Sequence, residues 1–195
     1  MTAYCATAPA SPQSSERIVL RDGSSVLVRP VEPGDGQLLL DGFARLSVES
    51  RRLRFLAGKP YLSAAEVRFF TDVDHCDHEA IGALDPCEGR GVGVARYVRS
   101  AHDPQVAEMA LTVVDDWHGR GLGTELLARL VDRARTAGIY SFTAVVSMDN
   151  AAMIGLLRRA KAGVELTSID IDTLEYQIAL RAFATSLQRV LITGS

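Results

Sequence analysis

The stretch His118-Gly119-Arg120-Gly121-Leu122-Gly123-Thr124 limits this chain more than any other, because it joins the apolar run Met109 to Val114 to a strongly amphipathic pattern. In that pattern Leu126, Leu127, Leu130, Val131 and Ala134 recur at helical spacing, so the order is strand, glycine turn, helix start. Glycines at 119, 121 and 123 let the backbone turn tightly and present bare N–H groups, and the helix start adds unpaired N–H groups and its positive dipole end. Such a turn suits phosphate oxygens. A P-loop would end in Lys-Ser or Lys-Thr, whereas this one ends Gly123-Thr124-Glu125. A dinucleotide fingerprint would need a Gly-x-Gly-x-x-Gly spacing and an acidic residue roughly twenty positions on, where Ala137-Gly138 stands instead.

The chain contains its own control. Glu88-Gly89-Arg90-Gly91-Val92-Gly93 repeats the loop almost letter for letter, but Val94 to Arg99 after it alternates as a strand does. That copy reads as a hairpin turn, and only the second copy aims a helix N-terminus at an anion.

With 195 residues and 47% hydrophobic content the chain buries one sizeable core and is expected to form a single domain. A formal charge of -3 disfavours nucleic acid or an anionic membrane as main partner. No apolar run is long enough to span a bilayer and no signal peptide pattern opens the chain, which together predict a cytoplasmic protein. Cys5, Cys76 and Cys87 are odd in number and irregularly spaced, so no disulfide is expected. Residues 1–15, poor in large apolar side chains, read as a loose tail ahead of a domain over 16–180; residues 181–195 read as a C-terminal helix or tail.

Within the domain, Ile18 to Leu20 and Val26 to Val28 flank an Asp-Gly turn, and three helical pieces come next, starting after Asp35, at Ser47 and at Ser63, where Glu66 completes a capping box. Strands are then expected at 79–84, 93–99 and 107–114, a helix at 122–137, a strand at 142–146, a helix at 150–160 and strands at 164–171 and 174–179. The fold class is mixed α/β.

The loop and this order of elements resemble the GNAT superfamily of acyl-CoA-dependent N-acetyltransferases over about residues 18 to 179. His118, Gly121 and Gly123 occupy that family's Gln/Arg-x-x-Gly-x-Gly/Ala positions, with His replacing the usual first residue. Arg51 to Phe55, Val73 to His78, Ala95 to Arg99 and Asp103 to Glu108 are similar to the acetyltransferase domain of bacterial Pat-type protein lysine acetyltransferases. The resemblance implies a mostly antiparallel mixed sheet flanked by helices. It also implies acetyl-CoA as acyl donor and a protein lysine as acceptor, an acyl-CoA synthetase being a natural first candidate. Some Pat-type proteins carry a cyclic-nucleotide sensor; the short run before the first strand leaves direct cyclic-nucleotide control unexpected here.

By the same resemblance, backbone N–H groups of His118, Gly119, Arg120, Gly121, Leu122, Gly123 and Thr124 would grip the coenzyme A diphosphate, with the Arg120 cation added. The edge of Leu111, Thr112 and Val113 would pair with the pantetheine amides, and an N–H near Val113 would face a developing oxyanion. Asn150 stands where the family places a residue that holds the cofactor arm; a helix N-cap is its ordinary role, and the two are compatible. Acyl transfer to an amine needs a base, because an alkyl ammonium of pKa about 10.4 is protonated at neutral pH. Glu108, on the strand side shared by Ala110, Thr112 and Val114, is the candidate, expected to be desolvated there; a solvated or Arg-paired carboxylate is the plainer alternative. Many relatives place a tyrosine acid at the position of Leu157, so no protein acid is expected for the leaving thiolate. Asp77 and His78 match Pat-type text and are candidates for the acceptor pocket, with helix capping or surface pairing equally open. The cluster Asp74 to Glu79 is rich in ligand types, but consecutive side chains cannot converge on one ion, and no metal site is expected. A small-molecule amine as acceptor, or an acetyl-CoA-binding regulator without turnover, are the alternatives.

Overall fold

In the computed structural model, which describes residues 15–160 and 163–183, the chain forms one eight-stranded sheet with helices on both faces. β1 (Glu16–Val19) and β2 (Ser25–Pro30) make the first hairpin. Its turn is closed by the Asp22 carboxylate accepting the Ser24 amide at 3.0 Å, with Gly23 in the left-handed region at φ 82°. α1 (Gly36–Ala44), α2 (Val48–Phe55) and α3 (Ala64–Thr71) come next. Ser47 caps α2 by accepting the Ser50 amide, and Ser63 with Glu66 forms the expected reciprocal box on α3.

β3 (His78–Leu84), β4 (Gly91–Arg99) and β5 (Val106–Val113) form an antiparallel meander. α4 (Leu122–Thr136) crosses over to β6 (Ser141–Ser147), which lies parallel to β5. α5 (Ala151–Ala160) leads to β7 (Val164–Ile169) and β8 (Thr173–Ala179), giving the order β1-β2-β3-β4-β5-β6-β8-β7 with every pair antiparallel except β5 with β6. The mixed, mostly antiparallel sheet is the fold class expected.

Leu122, Leu126, Leu127, Leu130, Val131 and Ala134 are all at most 1% exposed, so the apolar stripe of α4 is sealed against the sheet. Burying each large aliphatic side chain contributes about 1.5–3 kcal/mol, which makes this helix the central support of the glycine turn at its N-terminus. On the sheet face away from α4, the row His78, Val98, Glu108 and the row Ala80, Arg96, Ala110 stand side by side by register. α1 and α2 pack on that side, against β4 and β5.

Two expectations change. Cys76 is disulfide-bonded, its partner lying outside the described residues, while Cys87 is free. An odd count excludes a framework but still leaves one bridge and one thiol. The expected strand at 164–171 ends at Ile169, where the chain turns into β8. Residues 180–183 are helical, with Leu180 and Phe183 fully buried; the rest of the C-terminal segment, like residues 1–14 of the N-terminal tail, lies outside the described residues. Among the described residues no helix is long and apolar enough to cross a membrane.

Candidate active site

β5 and β6 are parallel neighbours only from Val106/Ser141 to Glu108/Thr143. Beyond that point β6 stays paired with β8 and β5 with β4, so the two strands part and leave a cleft. The register with β4 decides which backbone groups face it. Val114 donates to Val92 and Ser100 to Val106, so even-numbered residues of β5 point their backbone groups at β4 and odd-numbered ones point theirs away. The N–H and C=O of Leu111 and the N–H of Val113 therefore line the open edge, available to an extended ligand as to an added strand. The Val113 carbonyl accepts from His118 Nε2 at 2.8 Å. That bond fixes the Nε2–H tautomer and ties the glycine loop to the strand end, a role a longer Gln or Arg is not needed to fill.

The loop itself has the conformation its glycines permit. Gly119 and Gly121 lie at φ 77° and 91°, and Gly121 is the N-cap of α4. Among the described residues, the amides of Gly119, Arg120, Gly121, Leu122 and Gly123 donate to no protein acceptor; Thr124 and Glu125 donate to the Gly121 carbonyl. These five bare N–H groups and the helix dipole form an anion cradle at one end of a cleft of about 900 Å³. Its walls include Glu108 to Val113, His118, Gly119, Gly121 to Thr124 and Asn150, so nearly all of the residues singled out in the sequence meet on one surface. Asn150 accepts the Met153 amide at 3.0 Å as the cap of α5 while also lining the cleft.

Arg120 does not reach the cleft. Its guanidinium lies 4.6 Å over the Trp117 ring, donates to the Asp116 carbonyl and pairs with Asp22 at 3.5 Å. The cation beside the cradle is Arg21, which lines the cleft and lays its side chain 3.3 Å from where a Gly121 Cβ would stand. Nothing in the sequence marks Arg21, because the turn of the first hairpin meets the loop only through tertiary folding, with its amide donating to the Arg120 carbonyl. Asp115 is likewise unmarked. It accepts from the Ser47 amide and from the hydroxyls of Ser47 and Ser50, joining α2 to the segment before the loop. Partial burial pushes its carboxyl up, but those three bonds outweigh it and the pKa is lowered overall.

At the far end of the cleft, Glu108 is exposed rather than desolvated. It lies opposite Val98, itself 36% exposed. His78 shares their row, stacked at 4.8 Å on Phe69, and burial, reinforced by the neighbouring Arg96, lowers its pKa. Asp77 is separated from it in direction. Its carboxylate pairs at 2.6 Å with Arg99, a residue of the opposite sheet face whose guanidinium also holds the Ala137 carbonyl. The Asp74 carboxylate accepts the amides of Cys76, Asp77 and His78, so the ligand-rich stretch spends itself on its own turn. Leu157 is 1% exposed in the core and is not among the walls of the cleft.

Residues 49–161 match the model of the acetyltransferase (GNAT) family. The chain is 34% identical over 171 residues to acetyltransferase Pat of Mycolicibacterium smegmatis, covering 82% of this chain and 51% of that protein. It is 35% identical over 136 residues to an acetyltransferase of Pseudomonas aeruginosa, covering 69% and 73% respectively. The chain thus spans about half the length of the mycobacterial relative. Its fold superposes on the crystal structure of the GNAT domain of PAT from S. lividans with a TM-score of 0.79 and 30% identity, over 89% of this chain and 99% of that one. A strand pair that parts beside a helix N-terminus with unspent amides, and sequence similarity across most of its length, place this chain in the GNAT acetyltransferase family, similar within it to the Pat proteins.

Proposed function

We propose that the chain transfers an acetyl group from acetyl-CoA directly to an amine, namely a lysine side chain of another protein, with Glu108 as general base. The observation that carries this reading is the set of bare amides from Gly119 to Gly123 at one end of a cleft whose other end holds Glu108. Those amides, with His118, Arg21 and Thr124 around them, would hold the diphosphate of the donor. Leu111 and Val113 would pair with its amide-bearing arm, and Thr112 and Asn150 would shape the channel. Arg120 contributes its backbone N–H rather than its charge. Bound there, the donor supplies an activated acetyl carbonyl.

The chain's own work is then orientation and proton removal. Glu108 accepts a proton from the amine nitrogen as the N–C bond forms and the C–S bond breaks. Exposure keeps this carboxylate reachable, and an exposed base at the mouth of a cleft suits an acceptor presented on a protein surface. The Val113 N–H faces the cleft where negative charge on the carbonyl oxygen would develop. The departing thiolate needs no protein acid, since thiols ionise near about pH 8.5. His78, in the same row as Glu108, would line the acceptor side, and Asp77 would position its loop through Arg99. Incubation with labelled acetyl-CoA and a matched cell extract tests the reading. Label on protein lysines, lost with Glu108→Gln while coenzyme A affinity holds, is the expected result; label only on small molecules would exclude the protein acceptor.

A further inference from the structure

Among the described residues, two arginines beside Glu108 form no direct salt bridge. Arg96, on β4, is 5% exposed; its Nη2 donates to the Phe70 carbonyl at 2.9 Å and its Nη1 lies 3.2 Å from His78 Nε2. The guanidinium also lies 4.4 Å over the Phe70 ring, so it is well oriented, yet it meets no carboxylate among the described residues. Half-buried Arg54, from α2, stands 5.0 Å over the Phe55 ring and makes no direct ion pair or hydrogen bond among the described residues; the Glu108 carboxylate acts on it only at longer range. Several other arginines have direct partners. Arg29, Arg99, Arg129 and Arg133 each meet a carboxylate, and Arg51 donates to three backbone carbonyls. A guanidinium held out of water without a directly bonded counter-charge is costly, so two such groups side by side mark a place that an anion would relieve. Burial, then repulsion from Arg54, lowers the Arg96 pKa to about 9, in keeping with that geometry.

Both guanidiniums border a cavity of about 110 Å³ between α1–α3 and the sheet, whose other walls include Phe43, Phe55, Leu62 and Phe70. Arg54, Phe55 and Thr112 belong to the walls of this cavity and of the cleft alike, so the two spaces adjoin there. The volume holds a short methylene stem and its head group rather than a large body, and apolar walls around a guanidinium fork match a carboxylate on such a stem. By register, Arg96 lies opposite Ala110 and is thus a diagonal neighbour of Glu108, at about 7–8 Å between strand positions. An anion at the arginines and an amine at Glu108 therefore fit within one bound segment. We propose that Arg54 and Arg96 receive the carboxylate of an acidic side chain flanking the acceptor lysine, and so select among lysines; this rests on the acceptor reading above.

The test compares lysine peptides that carry Glu at each nearby position in turn with their Gln counterparts. At one position or more, kcat/KM should favour Glu by about tenfold or more, as one charge-assisted contact supplies. That ratio should fall towards one in Arg54→Met and be partly restored in Arg54→Lys. Equal use of Glu and Gln peptides at every position would overturn the selection while leaving lysine acetylation standing. If no lysine peptide is acetylated, the acceptor reading fails, and with it the flanking residue. The anion site itself is read independently by titrating the protein with butyrate and with butyramide while monitoring the side-chain Nε–Hε resonances of Arg54 and Arg96. Movement with butyrate alone is expected, and no movement with butyrate would overturn the site.

Discussion

The two glycine loops, 88–93 and 118–123, are nearly the same text with opposite uses. In the first, the Gly89 amide donates to the Asp85 carbonyl at 2.8 Å and the Asp85 amide to the Arg90 carbonyl at 2.9 Å, and these bonds close β3 onto β4. Its later glycines serve packing: a Cβ on Gly93 would stand 3.0 Å from Leu126, and one on Gly91 3.2 Å from the Leu38 carbonyl. In the second loop the donors from 119 to 123 are left over, because a helix begins where a returning strand would have taken them up. Glycine pattern alone thus specifies a tight turn. Whether the turn becomes a binding site depends on the element it leads into, a strand or a helix.

The largest expected effect separates grip from chemistry. Glu108→Gln should lower kcat/KM by about a hundredfold to ten-thousandfold while coenzyme A affinity, measured by calorimetry, stays the same. An equal loss of affinity would mean that the carboxylate belongs to the binding surface. Gly121→Val strikes the second loop, at φ 91° and against the Arg21 side chain. The strain of about 1–3 kcal/mol should weaken coenzyme A binding by about ten- to a hundredfold.

His118→Ala removes the tie to the Val113 carbonyl and should raise the donor KM by about tenfold or less, consistent with about 1 kcal/mol for one hydrogen bond. In the first loop, Gly89→Ala sets a Cβ at φ 66° in open space; it should cost about 1–2 kcal/mol of stability in a denaturant titration and leave coenzyme A affinity untouched. A loss of affinity there would erase the contrast between the loops. The smallest effect is acid sensitivity at Asp115. Its folded pKa is lowered, so its contribution is full above the unfolded value of about 3.8 and is lost as pH falls through the folded value. Asp115→Asn should flatten that acid limb of the thermal stability profile by less than about 1 kcal/mol.

Most of the site is legible in the sequence because it is local. The strand, glycine turn and helix start are consecutive in the chain, and Asn150 caps the next helix by a residue preference that sequence displays. What escapes is decided by contacts across the fold. Arg120 is the natural phosphate cation by position, yet Trp117 and Asp22 hold its charge, and Arg21, about a hundred residues earlier, lies at the cradle instead. Glu108 reads as desolvated because its neighbours in sequence are apolar, but its exposure is set by tertiary folding. Arg54 and Arg96 fall within stretches that resemble Pat-type text, but nothing in the sequence marks them as an anion site, since an arginine without a directly bonded counter-charge is recognisable only once its surroundings are known.

The central claim is that the unspent amides of the second loop hold the donor. A titration of isotope-labelled protein with coenzyme A, monitored through backbone amide resonances, tests this directly. Saturable shifts at residues 119 to 123 together with Leu111 and Val113, and none at residues 88 to 91, are predicted; saturable binding that leaves residues 119 to 123 unmoved, or no binding at all, would contradict it.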